Sequence, residues 1–384
     1  MTLLGAALAP LYGKGFGGAT GHFKYADIAL GLAVLVRVVQ AITEGLPRYG
    51  MRRQSVLLGL LGAFAAVGFI SGMVNGQPLA WDYLRTVIAT LGTVFLVSVY
   101  GDGKDLVPVL KAFTLGTAVL AVSSFSGAKL EGRAIGWSSH PNALGNSCMI
   151  GIFAAGWLLD NAKTRKERWL WLAVVALNLF GVDRSGSRGA LLGVLAGAVI
   201  YLWLRRRRIL RLAAVYAVWA AGLVLAAGLV VLPPSNPLSR YVTQSGTNTA
   251  SNISDQARIA ALKDDWNQAS SSPVFGVGFK DNTNINGVVL QAWLGAGAAG
   301  ALIFILIEVL MLIGAIGHRP RDQAIVCGGV AMAVAWTLTN LLTMRDMWIY
   351  TTVMFATAPP LSGIPGVRAR ARSLSELPLQ SNAH

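Results

Sequence analysis

The sequence predicts an all-α polytopic membrane protein of about twelve transmembrane helices, and three observations predict it. Apolar residues make up 54% of the 384 positions and charged residues only 13%, a balance far outside that of an ordinary soluble domain. Apolar runs close to the ~20 residues that carry a helix across a bilayer recur along nearly the whole chain. Alternate connections between those runs are strongly basic, as short cytoplasmic loops are.

The expected spans follow in order. Met1 to Tyr12 is short; it lacks a basic leading region and a clear small-residue cleavage site, so it reads as a mature first helix. Asp27–Ile42, Val56–Asn75, Leu79–Tyr100, Asp105–Phe125 and Pro141–Leu159 come next. Trp169–Val182, Arg188–Trp203 and Ile209–Leu232 lead to one long polar connection, 233–286. Gly287–Ile316, Ala324–Thr343 and Met347–Ile364 complete the set, and a basic tail occupies 366–384. Residues 1–384 thus form a single transmembrane domain, without an internal repeat or a second soluble domain. The basic connections are Arg48/Arg52/Arg53, Lys104, Lys163–Arg168, Arg205–Arg208 with Arg211, Arg319/Arg321 and Arg368/Arg370/Arg372; they hold more than half of the 32 Lys and Arg. They orient the chain with both termini in the cytoplasm and the 233–286 loop outside. The net charge of +15 is therefore a topology signal, and no nucleic-acid partner is expected.

Cys148 and Cys327 both fall inside apolar segments and read as small buried hydrophobes. The four histidines are scattered, so no Cys/His set has metal-ligand spacing and neither a metal nor another cofactor is expected. In the long loop, Asp255 is placed to cap a helix that runs to about Ala269, with Ile259, Leu262, Trp266 and Ala269 on one face. That helix lies either on the membrane surface or on the bundle. Ser270-Ser271-Ser272-Pro273 ends it.

Positive charge persists on the outer side, where it is normally depleted. Arg133, Arg184, Arg188, Lys280 and Arg345 all flank span ends there. Two arginines have the strongest context: Arg188, in Asp183-Arg184-Ser185-Gly186-Ser187-Arg188-Gly189, and Arg258, in Asp255-Gln256-Ala257-Arg258. Each is expected in the first turn of a helix, where free N–H groups and the macrodipole favour an anion. A basic ring at the outer mouth suits a lipid-linked diphosphate, because guanidinium forks pair with phosphate oxygens at two points. Anchoring to anionic headgroups would use the same residues. His140 opens a helix, either as a cap or as a base. Asn142, one turn from Asn146, either lines the same cavity or bonds between helices. Arg85 and Lys111 either face a cavity or snorkel, and snorkelling suits Lys111 better. Gly276–Gly278 reads as a tight turn that brings backbone near the site rather than as a nucleotide loop.

Three stretches resemble the O-antigen ligase/O-antigen polymerase family of bacterial membrane glycosyltransferases. His140-Pro141-Asn142-Ala143-Leu144-Gly145 is similar to its Pro-Asn-x-x-Ala segment, and Ser187-Arg188-Gly189-Ala190 to its Ser-Arg-[Gly/Thr]-Ala motif. The run from Arg258 through Trp266 to Pro273-Val274-Phe275-Gly276-Val277-Gly278 is similar to its Arg…Trp…Pro-x-x-Gly-x-Gly stretch, followed by Leu290-Gln291, Gly297 and Gly300. The resemblance implies a GT-C-like enzyme in the cytoplasmic (inner) membrane with an extracytoplasmic site. It would perform a metal-independent, inverting glycosyl transfer, from a glycan on polyprenyl (undecaprenyl) diphosphate to a glycan or glycolipid acceptor. Arg188 and Arg258 would hold the diphosphate. Beyond the two substrates and membrane lipids no partner is expected, and the chain is read as a monomer. Where the family often carries a His before Leu-Gln, spacing places Asn286, which accepts no proton at working pH. Three alternatives stay open: Asn286 only orients the acceptor, whose proton is lost late and without a strong base; His140 supplies the base; or Asp281 or Asp346 does so. A transporter of lipid-linked glycans is the rival reading, though no matched pair of interrupted spans is visible.

Overall fold

The structure, a computed structural model, describes residues 2–11, 25–44, 53–76, 106–126, 129–130, 132–205, 249–279, 287–316, 322–338 and 344–357. These are almost entirely helical: α1 (Thr2–Leu8), α2 (Tyr25–Glu44), α3 (Arg53–Val74), α4 (Leu106–Ser123), α5 (Pro141–Asp160), α6 (Arg165–Ser185), α7 (Arg188–Leu204), α8 (Thr249–Ser271), α9 (Val288–Ile316), α10 (Gln323–Leu338) and α11 (Arg345–Thr357). A two-residue hairpin, β1 (Lys129–Leu130) with β2 (Arg133–Ala134), lies between α4 and α5. A described helix overlaps every expected span except Leu79–Tyr100 and Ile209–Leu232, which lie outside the described residues. Among the described residues four helices are long and apolar enough to cross a membrane, within α3, α4, α5 and α9, and α2, α7 and α10 carry shorter apolar segments.

α5 is the hub. It is buried over most of its length and packs against α4, α6, α7 and α10. Lipid supplies no hydrophobic drive for helices to associate, so close approach through small residues must do so. Gly193 and Gly197 show this on α7: a Cβ at either would stand 2.7 Å from a carbonyl oxygen of α10, that of Ala331 or Cys327. A buried aromatic cluster ties α3, α9, α10 and α11 together, with Phe304 edge-on to Phe64 at 4.8 Å and 6.0 Å from Trp348. Both cysteines are buried and free.

α9 is broken. Gly297 has φ 68° and ψ −166° inside an otherwise helical run, a backbone that only glycine adopts without strain. The turn after α8, residues 272–278, fills the gap. The Leu294 carbonyl accepts the Val277 N–H at 2.7 Å, and the Ala298 N–H donates to the Pro273 carbonyl at 2.9 Å. From α3, the Ser71 hydroxyl donates to the Gly295 carbonyl at 2.8 Å, while the Asn75 amide donates to the Gly276 carbonyl at 3.0 Å. Each freed backbone group would otherwise cost several kcal/mol in an apolar setting, roughly as burial of any unbonded amide does. The expected Gly-x-Gly turn is thus present, and its partner is the interrupted helix.

α8 differs from expectation at its start. It begins at Thr249, not at Asp255, and ends at Ser271. No Gly or Pro lies between Thr249 and Asp255 to stop it, and extending a formed helix adds a hydrogen bond for each residue fixed. A capping residue therefore does not force a start where the chain can continue.

The break supplies a stability test. In Gly297→Ala the new methyl would collide with the Val274 carbonyl oxygen at a positive φ, so the purified protein should lose about 2–4 kcal/mol of unfolding free energy. Gly62→Ala meets open space and should leave stability nearly unchanged. Equal unfolding midpoints for the two variants would show that the break is not held as described.

Candidate functional site

One end of the bundle gathers the α5 start, the α6–α7 corner and the α11 start. Gly186 closes α6 in the left-handed conformation (φ 59°, ψ 23°), and its N–H bonds to the Asp183 carbonyl. Ser187 then caps α7, its Oγ accepting the Ala190 N–H at 3.4 Å. The Ser187 N–H in turn donates to Ser185 Oγ at 3.1 Å. The connection is thus a two-residue turn that leaves Arg188 as the first residue of α7, half-buried, with no acidic side chain in that turn. The expected helix-start position of Arg188 is present. The sequence carried both signals for it, a glycine just past one helix and a serine capping the next.

Arg258 is placed differently. With α8 starting at Thr249, it lies in the third turn rather than the first, so the dipole at the start of α8 does not favour an anion there. Its side chain lies outside the described residues, as do Lys280, Asp281 and Asn286.

Arg133, on β2, is buried. Its Nε donates to the Ser185 carbonyl at 2.8 Å and its Nη2 to Asn142 Oδ1 at 2.7 Å. It therefore pins the last residue of α6 to the first turn of α5. Asn142 Oδ1 is engaged in that bridge. The α5 first turn also packs directly under the corner: a Cβ at Gly145 would stand 2.6 Å from Ser185 Oγ. His140 is the N-cap of α5, its ring Nδ1 accepting the Asn142 N–H at 3.1 Å. Taking up a proton at Nδ1 would cost this cap. Arg184 sits on the last turn of α6, 5.9 Å from the Phe180 ring centre, and its buried Nε has no hydrogen-bond partner among the described residues.

Arg345 and Asp346 open α11, and both are buried. Arg345 forms a two-point ion pair with Asp27 at the start of α2, with Nη2 2.7 Å from Oδ2. Asp346 accepts the Ser147 hydroxyl of α5. Neither pairing was anticipated; the only available cue was that a carboxylate at a span end demands a partner. Lys111 reaches Glu167 at 3.4 Å rather than merely snorkelling, and Arg85 lies outside the described residues. That pair belongs to the opposite end of the bundle. There Arg205 also forks onto Asp160 at 3.0 and 2.6 Å, and the Trp157 indole donates to Asp322. Among the described residues no three metal-ligating side chains stand together.

Fold and corner define a class: an apolar helical bundle with guanidinium groups set among helix termini at one end. Residues 171–297, about a third of the chain, match the family model described as O-antigen ligase. The match runs from α6 through the Ser187–Arg188 corner and α8 to Gly297 at the break in α9. It supports the O-antigen ligase/polymerase family, hence in general terms a membrane glycosyltransferase of that type acting on a lipid-linked glycan and an acceptor. No curated protein matches the chain.

The Asp27–Arg345 pair offers a clean measurement. Removing either partner, as Asp27→Ala or Arg345→Ala, strands a buried charge and should cost about 3–5 kcal/mol. The double variant should cost clearly less than the two losses added together. Full additivity in unfolding experiments would mean that the two side chains do not depend on each other.

Proposed function

We propose that the protein transfers a glycan from undecaprenyl diphosphate to an acceptor hydroxyl on another glycan or a glycolipid, as an O-antigen ligase or polysaccharide polymerase, at the outer face of the cytoplasmic membrane. The observation that carries this reading is Arg188. It stands at the positive end of α7, inside the family match, on a corner that Arg133 holds in place. Departure of the glycosyl group builds negative charge on a phosphate oxygen. A guanidinium and helix-start amides already in position offset that charge without reorganising and without a metal ion. Arg258, in the matched segment, and Arg184, on the last turn of α6, would supply further donors to the diphosphate.

The roles divide accordingly. Arg133, Asn142 and Arg345 act as supports, since each is held by a side-chain bond that joins two elements of the protein. His140 caps α5, and Asp346 is buried against Ser147, so proton removal from the acceptor is assigned to neither. Inversion then proceeds with the acceptor oriented at Asn286 and its proton lost late, as bond formation makes the hydroxyl acidic. Lys280 would meet the donor from the same loop.

One observation favours transport: α9 is interrupted, as spans that line a substrate path often are. Here the groups freed at the break are bonded to the 272–278 turn and to α3 rather than left to face a ligand.

Purified protein with a lipid-linked glycan donor should form a new glycosidic bond. Arg188→Ala and Arg258→Ala should each lower the rate by at least ~100-fold, the scale of losing one pre-placed donor to a developing oxyanion. A chelator should leave the rate unchanged. Full activity in both variants, or translocation without bond formation, would refute the assignment.

A further inference from the structure

We infer that α8 is an interfacial helix, with one edge docked on α9 and its remaining apolar residues seated in the headgroup–acyl boundary of the bilayer at the site end. The docked edge is plain. Ala269 is fully buried with Leu294, and Trp266 meets Trp293 edge-on at 5.1 Å. Among the described residues nothing covers the rest of the apolar face: Ile259 is 67% exposed, Leu262 46% and Trp266 56%. The turn that follows continues this surface with Val274 at 63% and Phe275 at 48%. Five large apolar side chains on one helix and its exit turn are more than a watered surface ordinarily shows.

The bilayer is the occupant because this surface continues one that lipid must already cover. α9 is long and apolar enough to span, and beyond the break it turns Leu302, Ile305, Leu306, Val309 and Leu312 outward. α8 lies against the first half of that same helix. Exposed aromatics mark the level. Trp137 precedes α5, and Phe125 and Phe180 stack at 4.7 Å, all at the site end, while Trp169 and Trp203 are exposed at the opposite end. Such rings settle at the two surfaces of a membrane. On the helix itself Lys263 flanks the apolar face, and Gln268, nine residues from Ile259, lies on the opposite side; both are exposed. Asp265 flanks the other side, so the apolar residues rather than the flanking charges hold the helix at the boundary. On the functional reading above, this seat would hold Arg258 at the height of the donor's phosphates.

The test places an environment-sensitive fluorophore on Ile259→Cys and, separately, on Gln268→Cys. The protein is placed in nanodiscs of phosphatidylethanolamine and phosphatidylglycerol. Both native cysteines are buried and do not compete for the label, and each new position is on the surface, so folding should be little affected. At Ile259 the emission should shift to the blue, and the probe should be quenched several-fold more strongly by shallow spin-labelled lipid than by aqueous iodide. At Gln268 the preference should reverse. Equal access to iodide at both positions would overturn the proposal. So would protection of Ile259 from both quenchers, which would mean that protein covers the face. The readout needs no activity, so it stands or falls separately from the assignment of glycosyl transfer.

Discussion

Burying a guanidinium governs how one end of this molecule is laid out. Arginine cannot shed its proton at any working pH, so taking it from water requires acceptors fixed around its fork. Arg133 meets that demand with the Ser185 carbonyl and the Asn142 amide oxygen, and Arg345 meets it with Asp27. Each bond joins a different pair of elements. Arg133 ties the start of α5 to the end of α6, where α7 begins; Arg345 ties α11 to α2, and the Ser147–Asp346 bond joins α11 to α5. The half-buried Arg188 inherits its place from those contacts.

The second constraint is backbone satisfaction. A helix can be interrupted inside an apolar bundle only if something else takes up its freed groups. The 272–278 turn does so for α9, and because the turn is the direct continuation of α8, the loop helix is tied to the bundle where α9 breaks. The family match covers α6–α7, α8 and this junction as one segment. Within that segment the corner supplies Arg188, α8 carries Arg258, and the stitched break sets where α8 departs.

Much of this was legible in the sequence, for identifiable reasons. Apolar run length marks spans because every backbone group in lipid must bond within its own helix. The Gly186-Ser187 pair marked the α6–α7 corner because a left-handed exit and a capping hydroxyl are local preferences. Gly276–Gly278 was readable as a turn for the same reason. The start of α8 was not, because Asp255 is a strong local capping signal that a longer helix overrode. Long-range pairing was hidden altogether: Asp27 and Arg345 are 318 residues apart, and no local pattern joins them. His140 has two readings in sequence, and the fold selects the cap, with its Nδ1 bonded to the Asn142 N–H.

The central claim is that the start of α7 receives a diphosphate, and a structure of the protein with undecaprenyl diphosphate bound tests it most directly. The account predicts phosphate oxygens within hydrogen-bonding distance of the Arg188 guanidinium, on the side of the bundle where α5 and α7 begin. A phosphate head resting instead at the opposite end, near Asp160 and Arg205, would contradict it.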